Sequence, residues 1–269
     1  MRRFSPEYLE TTRTGMWEDS REALADLGLS NCERVLDVGA GTGELTSVLR
    51  QEVSGETVAL DADLDLLTHV DPPRLLGDAT RLPFEPDSFD LVVCQALLVN
   101  LPAPTAAIEE FTRVSRNRVA AIEPDNSAVS VESTVDEEPV LNKRARTLYL
   151  DGVETDATLG NVRSLFLEAG LQNVSVRRYD HVRRIEPPYS EVALESARKK
   201  ASGAGLDTDR GTILAGDATP ETFEELRQQW RAMGRRVIDQ MQDRSYRQQE
   251  QVPFFVTVGQ VPAASTERG

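Results

Sequence analysis

A glycine-rich run between residues 34 and 45 restricts the fold of this chain more than any other feature. The run reads RVLDVGAGTGEL. An apolar segment of strand type, residues 35–38, leads into small residues at 39–43, and apolar residues then recur at helical spacing from Leu45. A strand, a glycine-rich turn and a helix in this order indicate a site for a nucleotide-like ligand at the carboxyl edge of a parallel sheet. A glycine-rich loop that binds nothing is the alternative.

The spacing of the glycines narrows the choice of ligand. A dinucleotide-binding turn has the pattern G-x-G-x-x-G, but here Gly43 comes one residue early and Glu44 stands where a pyrophosphate would approach. No Gly-Lys-Ser/Thr follows, so the run is not a P-loop. The pattern D-x-G-x-G-x-G instead resembles the first motif of class I S-adenosylmethionine-dependent methyltransferases. The resemblance implies S-adenosylmethionine as the cofactor. The same resemblance implies that the candidate cofactor contacts are Asp37, Gly39, Ala40, Gly41 and Gly43.

Two acidic residues follow the next two predicted strands. Asp61 ends the segment ETVALD, where a carboxylate can accept both ribose hydroxyls. The alternative role of Asp61 is to cap the helix that begins at Ala62. Ala62 itself is also a candidate cofactor contact. Asp78, in the segment Gly-Asp-Ala, is placed to accept from the adenine amino group, while the Ala79 N–H faces the ring.

The run LPFEPDSFDLVVCQ, residues 82–95, resembles the segment before the fourth strand of many small-molecule methyltransferases. Gln95 ends this strand, close to where the reacting methyl group is expected, and we include it among the cofactor-binding candidates. Asn100 falls where relatives often have histidine, which makes it a substrate candidate. A structural role in a loop is the alternative for each.

Other ligand candidates come from outside these motifs. Glu123 ends the fifth predicted strand and either contacts a substrate or caps the next turn. In related enzymes a segment like residues 8–17 folds over the ligand, so Arg13 is a candidate partner for the cofactor carboxylate and Trp17 a candidate wall of the substrate site. A helix that only packs on the sheet is the alternative for that segment. Tyr149 lies on the apolar face of a predicted helix and is a further substrate candidate.

The charge balance limits the partners. Asp and Glu number 45 against 30 Lys and Arg, which gives a formal net charge of −15. A dense negative surface repels nucleic acid and anionic lipid, so we expect neither nucleic acid nor a membrane as a partner. Such a surface is typical of proteins from a high-salt cytoplasm; an acidic protein from a GC-rich genome is the alternative.

The chain has no apolar run of membrane length and no signal-peptide segment, and its two cysteines lack metal-ligand spacing. We therefore predict a cytoplasmic protein without a metal.

The resemblance also implies the architecture. We expect an α/β fold with a Rossmann-like sheet of seven strands, mostly parallel, whose last strand is antiparallel. Residues 1–32 are predicted to be an N-terminal helical segment, and residues 33–186 with 251–261 the methyltransferase core. Residues 187–250 depart from the family pattern and are predicted to be a helical insertion that caps the active site. A helix pair that thickens the sheet is the alternative, and a homodimer is left open.

These motifs predict an enzyme that transfers a methyl group from S-adenosylmethionine to a small-molecule acceptor by in-line displacement. No residue stands out as a catalytic base, so the accepting atom, whether O, N, C or S, is undetermined. A protein that binds the cofactor without turnover is the main alternative. A nicotinamide-dependent enzyme is disfavoured by Glu44 and by the absence of a Tyr-x-x-x-Lys set.

Overall fold

The structure is a computed structural model that describes residues 16–155, 158–160 and 162–262. The chain divides into two compact units. The described part of the first unit is residues 16–125, 159–160, 162–180 and 253–262, and that of the second is residues 126–155, 158 and 181–252.

Eight strands alternate with helices along the described chain. The strands are β1 (Arg34–Val38), β2 (Glu56–Asp61), β3 (Arg74–Leu76), β4 (Phe89–Gln95), β5 (Ser115–Pro124), β6 (Ser130–Ser133), β7 (Gln172–Ile185) and β8 (Gln248–Gln260). The α-helices are α1 (Met16–Asp19), α2 (Glu44–Glu52), α3 (Leu64–Leu67), α4 (Pro104–Val114), α5 (Glu138–Asp151), α6 (Arg163–Glu168), α7 (Glu191–Ser202), α8 (Ala204–Ile213) and α9 (Pro220–Gln242). Short 3-10 helices cover Arg21–Leu27, Leu29–Asn31, Leu98–Asn100 and Asn126–Ala128.

The sheet of the first unit has the strand order β3-β2-β1-β4-β5-β8, and β7 also pairs with β8. Strands β1 to β5 are parallel, whereas residues 254–260 of β8 run antiparallel to β5. Val38 of β1 pairs with Leu60 of β2 and with Cys94 of β4. This register brings the carboxyl ends of the central strands to one edge of the sheet, the place where such folds bind ligands.

Both faces of the central strands are buried, which explains their almost continuous apolar sequences. Leu36 and Val38 of β1 belong to one core cluster, and Val35 belongs to the cluster on the other face. Strand β4 divides in the same way, with Val92 on the first face and Val93 on the second. Helices cover each face, so most side chains of the central strands are shielded from water.

This architecture confirms the predicted α/β, Rossmann-like fold with a mostly parallel sheet and an antiparallel last strand. The predicted number of seven strands is wrong by one, because the sequence of β6 carries no strand signal. Its sequence, SVES, is short and mostly polar. It becomes a strand by pairing with Gln248–Gln251 of β8, more than a hundred residues away, which local patterning does not reveal.

The second unit consists of β6, α5, α7, α8 and α9 with the adjoining parts of β7 and β8. It includes the predicted insertion at 187–250 and adds residues 126–158. Helix α9 begins where its sequence indicates, because Thr219 caps it and Pro220 occupies its first turn. Its buried face contributes to a separate apolar core that includes Phe223, Met233 and Val237. Among the described residues, no helix combines the length and apolarity that crossing a membrane requires.

Candidate functional site

The glycine-rich loop, residues 39–43, connects the end of β1 to the start of α2. Gly39, Gly41 and Gly43 all have positive φ angles, of 73°, 58° and 90°. A Cβ atom on Gly39 would lie 2.9 Å from Cδ1 of Leu97, and one on Gly43 would lie 3.0 Å from Cγ2 of Val70. Both the backbone conformation and the close packing therefore require glycine at these two positions.

Asp37 anchors α2 to β1 from beneath this loop. The Thr46 hydroxyl donates a hydrogen bond of 2.6 Å to Oδ2 of Asp37, and both side chains are buried. Thr46 is a site residue that the sequence analysis missed. Its signal was a hydroxyl within the apolar stripe of α2, beside Leu45 and Leu49, since a buried polar group needs a partner.

Asp61 connects the glycine-rich loop to the turn after β2. One carboxylate oxygen accepts from the Gly41 N–H at 2.8 Å and the other from the Asp63 N–H at 2.9 Å. The helix cap is Asp63, whose carboxylate accepts from the N–H groups of Asp65 and Leu66, so the N-cap role considered for Asp61 belongs to Asp63. Asp61 is buried, whereas the adjacent Ala62 is exposed. Each oxygen of Asp61 keeps a second lone-pair direction for a ligand.

Asp78 follows the last residue of β3 by two positions, at the same edge of the sheet. Its Oδ1 accepts hydrogen bonds of 2.8 Å from both the N–H and the hydroxyl of Thr80, and these bonds hold the pKa of Asp78 below its usual value. The side chain is exposed and ionised at neutral pH, while Ala79 is buried. Asp61 and Asp78 therefore place two carboxylates at the ends of adjacent strands.

Gln95 ends β4, and its amide meets α1. Its Nε2 donates to the thioether sulfur of Met16 at 3.1 Å, and the side chain is only 5% exposed. Trp17, the next residue of α1, is also buried and packs edge-on against Phe254, with 6.4 Å between ring centroids. The Trp17 ring is thus packed within the first unit. Met16 had no sequence signal.

Glu123 binds the turn that follows β4. Its carboxylate is fully buried and accepts from the backbone N–H groups of Leu97, Leu98 and Val99 at 3.0–3.3 Å. Burial raises the pKa of Glu123 to about 7, although the three N–H donors oppose that rise. The geometry is that of the capping alternative, in which the carboxylate fixes the turn that packs against Gly39.

Asn100 stabilises the same turn. Its Nδ2 donates to the carbonyl of Ala96 at 2.8 Å, and Ala96 has the unfavourable φ of 49°. The Ala96 N–H donates to the Ile122 carbonyl at 2.9 Å. Asn100 thus holds a strained residue directly after Gln95, which is the structural role considered for it.

Two predicted site residues remain, Arg13 and Tyr149. Arg13 lies outside the described residues. Tyr149 lies on α5 in the second unit, where its ring packs beside the apolar core of that unit. Within the described ranges, no group of three or more His, Cys, Asp or Glu side chains could hold a metal ion. Cys32 and Cys94 are both buried free thiols.

Comparisons with known proteins agree with this geometry. Residues 36–122 match the family described as a methyltransferase domain. The demethylmenaquinone methyltransferase of Mycobacterium sp. (strain KMS) is 41% identical over 100 residues, which cover 36% of this chain and 43% of the relative. The enzyme of the same name from Staphylococcus aureus (strain JH9) is 30% identical over 139 residues, which cover 48% of this chain and 54% of the relative. The chain spans about half the length of the curated relatives that it matches.

A solved structure extends the likeness of fold to nearly the whole chain. The S-adenosylmethionine-dependent methyltransferase from Archaeoglobus fulgidus aligns with a TM-score of 0.51 and 13% identity, covering 94% of this chain and 98% of that one. Residues 36–122 thus form a class I S-adenosylmethionine-dependent methyltransferase domain. The family match includes the glycine-rich loop, Asp61, Asp78, Gln95 and Asn100.

Proposed function

We propose that this chain transfers a methyl group from S-adenosylmethionine to a small, neutral and largely apolar acceptor. The observation that carries the proposal is the arrangement of the glycine-rich loop and two carboxylates along one sheet edge. Gly39 and Gly43 give the loop its positive-φ backbone, while Asp61 and Asp78 are the acceptors at the ends of the adjacent strands.

The charges of this edge favour S-adenosylmethionine over a dinucleotide. The carboxylate of Glu44 stands in the first turn of α2, the place where a phosphate would need positive potential. S-adenosylmethionine carries a sulfonium and an ammonium against one carboxylate, so its net charge is positive. Negative side chains at a helix N-terminus and at two strand ends support a cationic ligand and oppose a pyrophosphate.

In the proposed complex, each residue has a positional task. Asp61 accepts from the ribose hydroxyls, with Ala62 beside it, and Asp78 accepts from the adenine amino group while the Ala79 N–H faces the ring. The backbone of residues 39–43 lies along the methionine portion, below Asp37, and Gln95 lies near the methyl group. The bound cofactor supplies a methyl group already activated by its sulfonium. The chain then has to align the acceptor, and alignment alone can contribute roughly 7–11 kcal/mol.

The names of the relatives support an acceptor of the quinone type, a neutral ring with oxygen substituents. Those proteins are called demethylmenaquinone methyltransferases, and they match this chain over about half of their length. The net charge of −15 supports the same choice, because it disfavours nucleic acid and other polyanions.

Calorimetry with S-adenosylmethionine, S-adenosylhomocysteine and NADH tests the cofactor assignment. We expect micromolar binding of the first two and no heat from NADH. Tight NADH binding without a response to S-adenosylmethionine would support a nicotinamide enzyme and end the proposal. Transfer of a radiolabelled methyl group to a pool of hydroxylated naphthalenes then distinguishes an enzyme from a protein that only binds the cofactor.

We further propose that the second unit selects the acceptor, as predicted for residues 187–250. The support is its separate apolar core and the position of Tyr149 beside that core. Tyr149→Ala should raise KM for the acceptor and leave the affinity for S-adenosylhomocysteine unchanged. Val140→Ala, an exposed position on the same helix, is the control. Equal acceptor KM values in the two variants would remove Tyr149 from the site. Light scattering would test for a homodimer.

A further inference from the structure

Two buried polar atoms near the end of β4 have no hydrogen-bond partner among the residues that the structure describes. They are Oε1 of Gln95 and Nε1 of Trp17, on side chains that are 5% and 4% exposed. Buried polar groups are almost always paired, because an unpaired one has lost its water without gaining a replacement. Unpaired groups that persist in a native structure are therefore candidates for binding a ligand.

The two atoms belong to the same corner of the first unit. Met16, adjacent to Trp17, receives the hydrogen bond from Nε2 of Gln95. The Trp17 ring contacts Phe254, which pairs with Pro124 at the end of β5. Gln95 pairs with Ile122 of β5, two residues before Pro124. Both side chains thus lie at the carboxyl edge that also bears the glycine-rich loop.

We propose that Gln95 Oε1 and Trp17 Nε1 recognise a hydroxyl group on the methyl acceptor. This inference rests on the proposed function and deepens it by naming the group that is recognised. The carbonyl oxygen of Gln95 needs a donor, and the indole N–H of Trp17 needs an acceptor. A neutral hydroxyl supplies both. A carboxylate has no proton for Gln95, and an ammonium has no lone pair for Trp17.

The surroundings suit a hydroxyl carried by a planar ring. Trp17 packs on Phe254, and Phe254 stacks on Tyr179 with centroids 5.8 Å apart. Met16 supplies the only hydrogen-bond partner of the Gln95 amide among the described residues, and a thioether is a weak acceptor. This bond occupies the Nε2 donor of Gln95, so Oε1 is the atom of the amide that is left for a ligand hydroxyl.

Three ligands of one shape test the assignment on protein saturated with S-adenosylhomocysteine. 1-Naphthol donates and accepts, 1-methoxynaphthalene only accepts, and 1-naphthoate is an anion. By calorimetry, we expect the parent protein to bind 1-naphthol about tenfold more tightly than 1-methoxynaphthalene, the effect of one hydrogen bond. We expect 1-naphthoate to bind more weakly than either.

Two variants separate the two polar groups. Gln95→Met removes the acceptor atom, so the preference for 1-naphthol over 1-methoxynaphthalene should fall to about twofold or less. Trp17→Phe removes the donor, so both ligands should bind more weakly while their ratio stays. Because Trp17→Phe also shortens a buried side chain, the melting temperature of each variant is measured so that binding is compared between folded proteins.

Thr57→Val is the matched control. The Thr57 hydroxyl is also buried and has no partner in the described part of the chain, but it lies near the amino end of β2, opposite the site. This variant should keep the tenfold preference for 1-naphthol. An unchanged preference in Gln95→Met, or no preference in the parent protein, would overturn the inference. Binding of S-adenosylhomocysteine is measured in a separate titration. If the proposed function is wrong, that titration shows no binding, whatever the preference for 1-naphthol.

Discussion

The carboxylate of Asp61 accepts a hydrogen bond from the backbone N–H of Gly41, with 2.8 Å between Oδ2 and the nitrogen. The bond joins the last residue of β2 to the loop after β1, and these two strands are parallel neighbours. A residue proposed to hold the cofactor ribose therefore also fixes the loop beneath the cofactor.

Asp61→Ala should weaken S-adenosylhomocysteine binding by about 1–3 kcal/mol, because the ribose hydroxyls and the Gly41 N–H all lose an acceptor. Calorimetry measures the loss. Asp63→Ala is the control, since Asp63 caps α3 without touching Gly41. It should lower stability by about 1 kcal/mol and leave the affinity unchanged. If both variants bind like the parent, Asp61 serves only the loop.

Gly39→Ala should cost more stability than Gly170→Ala. Both residues have positive φ angles, of 73° and 82°, which alanine resists by roughly 1–2 kcal/mol. A Cβ on Gly170 meets nothing within 4 Å, whereas one on Gly39 would lie 2.9 Å from Leu97. Urea denaturation compares the two. Equal losses would mean that Leu97 moves aside freely and that the loop is less tightly packed than described.

The stability of the folded protein should depend on pH through Glu123. Its pKa is about 7 when folded and near 4.5 when unfolded, so between these values the folded state holds a proton that the unfolded state has released. The free energy of unfolding therefore falls as pH rises from about 4.5 to about 7 and then levels off. The shift corresponds to about 3 kcal/mol.

Glu123→Gln isolates this contribution, because glutamine does not titrate. The stability of the parent relative to the variant should decrease between pH 5 and pH 8, as measured by urea denaturation. A difference that stays flat or grows over that range would contradict a buried, proton-binding Glu123.

Salt should stabilise the fold if the acidic surface is an adaptation to a high-salt cytoplasm. At a net charge of −15, screening reduces the repulsion that opposes the compact state. We expect the melting temperature to rise steadily from dilute buffer to molar KCl. A nonionic solute at equal osmolality should reproduce little of that rise. A melting temperature that does not change with KCl would remove the halophile interpretation.

The sequence determined by itself the features that depend on neighbouring residues. The glycines at 39, 41 and 43 predict a turn with positive φ angles, because few other residues accept that backbone conformation. Asp61 and Asp78 were predicted at one edge because each follows a strand, and parallel strands end on the same side. Apolar residues recur at helical spacing along α9, and of these the structure buries Phe223, Leu226, Met233, Val237 and Met241.

Only the tertiary structure decided the roles that join distant segments. Glu123 could contact a substrate or a turn, and the choice depends on Leu97, 26 residues away. Gln95 meets Met16 across 79 residues, and β6 exists because β8 offers it a partner. Side-chain hydrogen bonds and strand pairing of this kind form between groups that folding brings together. Local periodicity and propensity carry no record of which distant groups will meet, so these roles became visible only in the folded chain.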